Sequence, residues 1–387
     1  MVSSTLHQRR LIPPKSSFFL LGVRGAGKST WAVTAFPDAE RIDLLNESIY
    51  QDLLADPSLF AAQLGSLRSG SWVVVDEIQR IPSLLNEVHR LIELRKLRFA
   101  LLGSSARKLK TAGTNLLAGR ALKRQLFPFT PVELKGEFTL SEALQYGTIP
   151  LVWMATDRKA TLEAYVQLYL REEIRAEALV KNLPGFVRFL PIAALFHGQT
   201  INISAIARDC GVARTTVQGY LEILDDTLVT THLPAFEARL RVRERKHPKL
   251  YWVDAGLVRA VKKQLGAVTV EERGHLFEGW ILHLLRAQAE VSELYEEIHY
   301  WAPAQSARTE VDFLLRRGRD LLAIEVKAAN RFQKDMLTGL RAIGELRGVV
   351  RRILVYTGKR SLRLEDDIEV WPHERFIATL ANDEVWP

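Results

Sequence analysis

The stretch SSFFLLGVRGAGKST, residues 16–30, constrains the fold of this chain more than any other part of the sequence. An apolar run, typical of a buried strand, leads into a loop with the spacing Gly22, four residues, Gly27, Lys28, Ser29. Glycines let the backbone turn its N–H groups towards phosphate oxygens, the lysine neutralises phosphate charge, and the serine hydroxyl binds Mg²⁺. The following STWAVTAF predicts a helix. This order of strand, loop and helix predicts a parallel α/β sheet with a phosphate site.

Two further predicted strands end in polar residues that suit the same site. SWVVVDEIQRIP reads as a buried strand that ends in Asp76 and Glu77, and RFALLG is followed by Ser104. We predict that Asp76 joins Ser29 around Mg²⁺, and that Glu77 polarises the water that attacks the γ-phosphate. Ser104 would contact that phosphate or water, and Lys28 would act in catalysis as well as binding. The residues expected to bind ATP are Gly22, Gly25, Ala26, Gly27, Lys28, Ser29, Thr30 and Asp76.

Length and composition bound the rest of the chain. At 387 residues it exceeds what one hydrophobic core usually serves, so two or three domains are expected. Hydrophobic residues make up 47% and charged residues 25%, a balance that predicts a chain folded over most of its length. No run of about 18 apolar residues occurs and the N-terminus lacks a secretory apolar core, so we predict a cytoplasmic protein with no membrane partner. The net charge of +8 favours polyanionic partners.

Three segments carry a resemblance to a known family. VVVDEIQRIP, LLGSSARKL and LLAGRALKRQLFPFTPVEL, together with the phosphate loop, resemble the AAA+-type ATPases of bacteria and archaea that carry a C-terminal domain of unknown function. The resemblance covers nearly the whole chain and implies ATP hydrolysis by a homo-oligomer, either a hexameric ring or an open assembly. In such ATPases an arginine beyond the polar strand commonly reaches the nucleotide of a neighbouring subunit. Arg120 or Arg107 would fill this role, and the alternative for either is a surface or packing role.

The middle of the chain predicts helices and then a winged helix. Apolar residues recur every three or four positions from about residue 136, which suggests a small helical lid. INISAIARDCGVARTTVQGY reads as two helices joined at Gly211, and the alternating TLVTTHLPAF after them predicts a strand. In DNA-binding proteins the start of the second helix enters the major groove, so Arg214, Thr215 and Gln218 are the expected DNA contacts. The alternative is a purely structural or protein-docking winged helix.

A row of arginines follows the predicted winged helix. Arg239, Arg241, Arg243 and Arg245 alternate along the chain, so an extended backbone would place their guanidinium groups on one face. Such a row could track DNA phosphates, and a solvated charged face explains it too. We favour DNA, because like charges on one face repel each other unless a counter-charge is present.

The C-terminal part carries a second group of candidate site residues. TEVDFLLRRGRDLLAIEVKAA predicts a hairpin with the connection RRGRD, from which Asp312, Glu325 and Lys327 project. Two carboxylates and a lysine around Mg²⁺ suit phosphodiester hydrolysis. The segment resembles the PD-(D/E)xK nucleases, in which a glutamate from a preceding helix often joins the metal, here Glu278. The proline expected before the first aspartate is Val311 in this chain. The alternative is a nuclease-like fold kept as a DNA-binding or docking platform.

The sequence as a whole predicts an α/β protein with four segments. These are an AAA+-type P-loop ATPase core (1–135), a helical lid or linker (136–190), a winged helix-turn-helix (191–250) and an α/β nuclease-like domain (251–387). The expected function is ATP hydrolysis coupled to remodelling of DNA or translocation on it, branched DNA included. Two other functions stay open: a nucleotide-controlled switch that assembles with protein partners and has no DNA role, and an ATP-dependent DNA nuclease.

Overall fold

The computed structural model describes most of the chain, with gaps that fall on several of the predicted sites. It describes residues 7–105, 117, 119–170, 183–237, 247–303 and 309–387. Five arginines for which the sequence predicts a role lie outside the described residues: Arg107, Arg239, Arg241, Arg243 and Arg245.

The N-terminal part is built on a five-stranded, all-parallel sheet in the order β2-β3-β4-β1-β5. Strand β4 lies between β1 and β3, so the carboxyl ends of these three strands are neighbours at one edge of the sheet. Ligands gather at this edge in parallel sheets, so it is where a phosphate site belongs. The strands are β1 Phe18–Leu21, β2 Glu40–Asp43, β3 Trp72–Asp76, β4 Arg98–Gly103 and β5 Leu122–Gln125.

Side chains cover both faces of this sheet. One face packs Val73 and Phe99 against Phe60, and the other packs Phe18 against Trp31. Burial on both faces explains why the central strands read as continuous apolar runs rather than as alternating patterns. The helices are α1 Lys28–Ala35, α2 Glu47–Ala55, α3 Ser58–Gln63 and α4 Leu84–Arg95.

Short helices follow the sheet, as the spacing of apolar residues predicts. Thr130 and Glu133 form a reciprocal capping box at the first of them, and Thr139 and Asp157 cap two others through their side chains. The last continues as a π-helical turn over Tyr165–Leu170. The helices are α5 Pro131–Leu134, α6 Leu140–Tyr146, α7 Pro150–Trp153 and α8 Arg158–Ala164.

The next segment combines three helices with an antiparallel sheet in the order β6-β8-β7. The second and third helices meet at Gly211, whose φ of 65° closes the predicted turn. Val217 and Tyr220 of the third helix are buried, so its opposite face is open to solvent. The elements are α9 Leu183–Leu195, β6 Gln199–Thr200, α10 Ile203–Cys210, α11 Arg214–Asp226, β7 Thr230–Leu233 and β8 Lys249–Trp252.

The C-terminal part is a mixed six-stranded sheet in the order β13-β14-β12-β11-β10-β9. The predicted hairpin is β10 with β11, but its connection is shorter than RRGRD. Arg317 pairs with Asp320, which leaves only Gly318 and Arg319 in the turn. The elements are α12 Ala255–Val261, α13 Val270–Ser292, β9 Glu297–Trp301, β10 Val311–Arg317, β11 Asp320–Lys327, α14 Thr338–Ala342, β12 Val349–Tyr356, β13 Leu362–Arg363, β14 Ile368–Pro372 and α15 His373–Ala381.

One large hydrophobic core links the segments after the N-terminal sheet, and a separate cluster that includes Val311, Leu321 and Val370 packs within the C-terminal sheet. The large core extends from Leu144 in α6 to Trp386 and also takes in Val23 and Ala26 of the phosphate loop. The predicted lid, winged and C-terminal segments therefore share packed side chains, and the limits drawn between them stay predictions. None of the described helices has the length and apolar character needed to span a bilayer.

Candidate functional site

The phosphate loop joins the end of β1 to the start of α1. Gly25 and Gly27 have φ values of 75° and 84°, a left-handed region that strongly favours glycine. A Cβ at Gly25 would also lie 2.8 Å from the Cβ of Leu151 in α7, whose N–H donates to the Gly25 carbonyl at 3.2 Å. The loop is thus curled as the motif requires and is held from outside by α7.

The cationic and hydroxyl groups of the loop lie at the edge where the strands end. The Lys28 ammonium is buried and donates to the carbonyls of Gly22 at 2.8 Å and Val23 at 3.3 Å. The Ser29 hydroxyl donates to the carboxylate of Asp76 at the end of β3. Ser29 and Asp76, which are predicted to share a cation, are therefore in direct contact. Their hydroxyl and carboxylate oxygens are ligands of the kind that Mg²⁺ prefers.

Glu77 sits in a strained backbone conformation beside Asp76. Its φ of 55° is uncommon for a residue with a side chain, and such strain clusters at functional sites. Its carboxylate accepts hydrogen bonds from the Ser104 hydroxyl at 3.3 Å and from the amide of Gln79. Gln79 is buried and also donates to the Ser104 oxygen at 3.1 Å. The structure thus brings Glu77 and Ser104 together and adds Gln79, which sequence reasoning missed although it lies two residues after Glu77.

A cavity of about 470 Å³ lies over the phosphate loop. Its far wall is α7 and the residues after it, which no motif marks in the sequence. The lining residues are Arg24, Gly25, Gly27, Lys28, Ser29, Thr30, Leu45, Glu77, Pro150, Leu151, Met154 and Ala155.

A buried aspartate fixes the segment that leads into this wall. The Asp254 carboxylate accepts the N–H of Thr148 at 2.6 Å and the N–H of Leu257 at 3.0 Å, so it also caps α12. Burial raises its pKa to about 6, although backbone N–H groups oppose the shift. Asp254 therefore positions the cavity wall from the far side and is not itself exposed to a ligand.

We expect Asp254→Asn to remove a pH dependence of stability. Between about pH 4 and pH 6 the native carboxyl holds a proton that the unfolded chain has released, so the free energy of unfolding falls as pH rises, by up to about 3 kcal/mol. Asparagine keeps the capping oxygen and does not titrate. Urea unfolding of both proteins at several pH values measures the difference, and parallel pH profiles would refute the assignment.

The chain before the sheet ties the phosphate loop to the C-terminal part. The buried Arg9 guanidinium pairs with Glu133 at 3.1 Å and donates to the Ala26 carbonyl of the loop at 3.2 Å. The next side chain, Arg10, donates to Gln288 in α13 and to the Ala381 carbonyl in α15, both at 2.7 Å. Sequence reasoning gave this segment no role.

Arg120 lies at the opposite edge of the sheet from the phosphate loop. It is two residues before β5, whose first residue, Leu122, pairs with the first residue of β1. Its guanidinium pairs with Glu93 on α4, and both side chains are about half-exposed. Arg120 therefore does not contribute to the cavity of its own chain, and contact with a neighbouring subunit remains a proposal.

The carboxylates predicted in the C-terminal part are buried and close together. Asp312 accepts the N–H of Val326 at 2.9 Å, and Glu325 pairs with Lys327, its neighbour on the same face of β11. The strand pairing of β10 with β11 and the packing of α13 on β11 bring in Glu278.

The metal site predicted for Glu278, Asp312 and Glu325 stays a prediction, although the structure brings these three carboxylates together. Among the described residues, no group of three or more His, Cys, Asp or Glu side chains is arranged to hold a metal ion. The ammonium of Lys249 lies between the carboxylates of Glu278 and Asp312. Sequence reasoning missed Lys249 because this residue belongs to no motif.

The charges of this group shift each other's pKa values. Burial and the charge of Asp312 raise the pKa of Glu278 to about 7 and raise the pKa of Glu325 well above its usual range. Burial alone would lower the pKa of Lys249, but the carboxylates of Glu278 and Asp312 outweigh it and hold that pKa above its usual value.

Comparison with known proteins divides the chain into three matches. Residues 15–135 match the family described as AAA domain. The N-terminal part of the chain is therefore an AAA domain. Residues 137–267 match a domain of unknown function (DUF8612), and residues 273–376 match another (DUF4143).

Uncharacterized proteins of Mycobacterium tuberculosis and Mycobacterium bovis are each 26% identical to this chain over 391 aligned positions, which cover 97% of this chain and 84% of each relative. The solved structures are more remote. The ORC1 protein of Aeropyrum pernix in complex with DNA is 16% identical, with 65% of this chain and 86% of that chain covered and a TM-score of 0.27. A signal transduction ATPase with numerous domains from Pyrococcus horikoshii is 14% identical, with 72% and 46% covered and a TM-score of 0.24. Likenesses this weak carry no argument about function.

Proposed function

We propose that this protein hydrolyses ATP at the phosphate loop and uses the turnover to remodel DNA or to move along it. The convergence of Ser29, Asp76, Glu77 and Ser104 where β1, β3 and β4 end carries the ATPase part of the proposal. An AAA domain supports ATPase activity in general terms, and these contacts support the roles that we propose for individual residues.

Each side chain of the cavity has a distinct task in this proposal. Ser29 and Asp76 would hold Mg²⁺, which neutralises phosphate charge when bound. Lys28 exchanges its contacts with loop carbonyls for contacts with phosphate oxygens. Glu77 leaves Gln79 and Ser104 to orient and polarise the attacking water, and Ser104 stays near the transferred phosphate. The left-handed backbone at Glu77 agrees with this role, because it occurs directly after the strand end that carries Asp76.

The DNA part of the proposal is supported by the exposed face of the third helix in the predicted winged segment. Arg214, Thr215 and Gln218 lie in the first turns of α11 and are exposed, while Val217 and Tyr220 anchor the helix in the core. This is the orientation that a recognition helix needs to reach a major groove. The net charge of +8 adds general attraction to phosphates.

We further propose a cytoplasmic homo-oligomer. Arg120 supports the assembly, because it lies on the outside of the AAA domain, where a neighbouring subunit's cavity could meet it. In that arrangement its guanidinium would exchange Glu93 for the phosphates of the neighbour's nucleotide.

Duplex and branched DNA binding over a salt series tests the DNA proposal. Replacing Arg241 and Arg243 by alanine should flatten the slope of log affinity against log salt by roughly two units, because two phosphate contacts release fewer counterions. The matched control replaces the exposed Arg341 and Arg363 of the C-terminal part, which changes net charge equally and should leave the slope intact. A parent protein whose DNA affinity does not depend on salt would refute the DNA role and favour a protein-assembly switch.

A further inference from the structure

Four carboxylates lie close together at the C-terminal sheet, and we call them the carboxylate cluster. Glu278 comes from α13, Glu310 from the residue before β10, Asp312 from β10 and Glu325 from β11. Glu278, Asp312 and Glu325 are nine-tenths or more buried. Several negative charges in such a site require a cation nearby.

Lys327 pairs with Glu325 from within the sheet, and Lys249 supplies a cation to the other three carboxylates from outside it. Lys249 is the first residue of β8, and its side chain, which is 5% exposed, extends into the carboxylate cluster. Its ammonium lies 3.0 Å from Glu278 Oε1 and 3.6 Å from Asp312 Oδ1, and it also pairs with Glu310. Two residues along the same strand, Tyr251 donates its hydroxyl proton to Glu278 Oε1.

A divalent cation and this ammonium compete for the same oxygens. Mg²⁺ takes about six oxygen ligands at roughly 2.0–2.1 Å, so it would have to bind Glu278 and Asp312 within the space that the ammonium fills. Oε2 of Glu325 is buried without a hydrogen-bond partner among the described residues, but an ion held there would still need the oxygens of Glu278 and Asp312 that face the ammonium. Withdrawing Lys249 would leave its own charge without the partners that offset its burial.

We propose that Lys249 is the built-in counter-ion of the carboxylate cluster, that it excludes divalent cations, and that the C-terminal domain does not cleave DNA. The carboxylate cluster then binds Lys249 and so fixes β8 of the three-stranded sheet to α13 and β10. In this way residues that resemble a nuclease centre hold the predicted winged segment against the C-terminal sheet.

Mn²⁺ binding by the full chain without nucleotide tests this proposal. The parent protein should bind no Mn²⁺ that depends on Asp312, as measured by the electron paramagnetic resonance signal of free Mn²⁺. Lys249→Met removes the ammonium and keeps most of its volume, so this variant should gain a Mn²⁺ site that Asp312→Asn in the same chain removes. Lys262→Met is the matched control, because Lys262 is another largely buried lysine, paired with Glu272 at 3.6 Å, and its loss should create no site.

The parent protein alone can overturn the proposal. Mn²⁺ binding to the parent chain that Asp312→Asn abolishes, or Mg²⁺-dependent DNA cleavage that the same change abolishes, would show that Lys249 does not exclude the metal. A Lys249→Met variant that still turns over ATP but binds no Mn²⁺ would also contradict it. If Lys249→Met does not fold, Lys249→Gln and the parent titration decide the question in the same way.

Discussion

Glu77→Gln is expected to bind ATP as tightly as the parent chain and to hydrolyse it about 10²–10⁴-fold more slowly, the usual contribution of a general base. The amide keeps the shape of the side chain and its contacts with Gln79 and Ser104 but cannot polarise the attacking water. Steady-state hydrolysis and equilibrium binding of a fluorescent ATP analogue measure the two effects separately.

Lys28→Ala should instead lower the affinity for ATP. It removes the cation that faces the phosphates, so weak nucleotide binding, rather than a slow chemical step, should limit hydrolysis. Glu87→Gln on α4 is the matched control, because this carboxylate pairs with Arg90 away from the cavity and should change neither quantity. Hydrolysis by Glu77→Gln at the parental rate would show that another group acts as the base.

Glu133→Ala is expected to lower the free energy of unfolding by about 3–5 kcal/mol, because it leaves the buried guanidinium of Arg9 without its counter-charge. Glu133 also accepts the backbone N–H groups of Arg10 and Thr130, both at 2.9 Å, so two further donors lose their partner. Urea unfolding of the full chain measures the change.

The control for this prediction is an exposed ion pair in the same region. Glu142 pairs with Arg158 at 3.3 Å and its side chain is 45% exposed, so Glu142→Ala should cost only about 0–1 kcal/mol. Equal losses in the two variants would mean that the Arg9 pair contributes no more than a surface contact. Replacing Arg9 and Glu133 together by Met and Leu should recover part of the loss, since no buried charge is then left unpaired.

The phosphate site was predictable because its determinants are local. The loop spacing, the apolar runs before it and the carboxylates after β3 are read within short stretches of sequence, and strand order in a parallel sheet brings their ends together. The AAA domain match at residues 15–135 agrees with that interpretation. The helical spacing of apolar residues after β5 was likewise visible in the sequence.

The remaining features depend on contacts between distant parts of the chain. Lys249 meets Asp312, Asp254 meets Thr148 and Arg10 meets Ala381, yet none of these residues belongs to a periodic pattern or a motif. The resemblance to a nuclease was read from Asp312, Glu325 and Lys327 alone, and a short motif does not reveal which side chain fills the space between its carboxylates. Gln79 was missed for a different reason, since a single glutamine after a strand has many ordinary roles.

The contacts of the N-terminal segment with distant residues determine when during synthesis this segment can reach its folded position. Arg9 donates to the carbonyl of Ala26, while its neighbour Arg10 donates to Gln288 and Ala381, which are synthesised long after it. Synthesis of a chain this long takes on the order of tens of seconds. The parallel sheet and the contacts of Arg9 with Ala26 and Glu133 can form during that time, but the contacts of Arg10 form only after Gln288 and Ala381 have been made. A nascent chain that stalls before Gln288 can therefore hold its phosphate loop in place while the N-terminal segment is still detached from the C-terminal part.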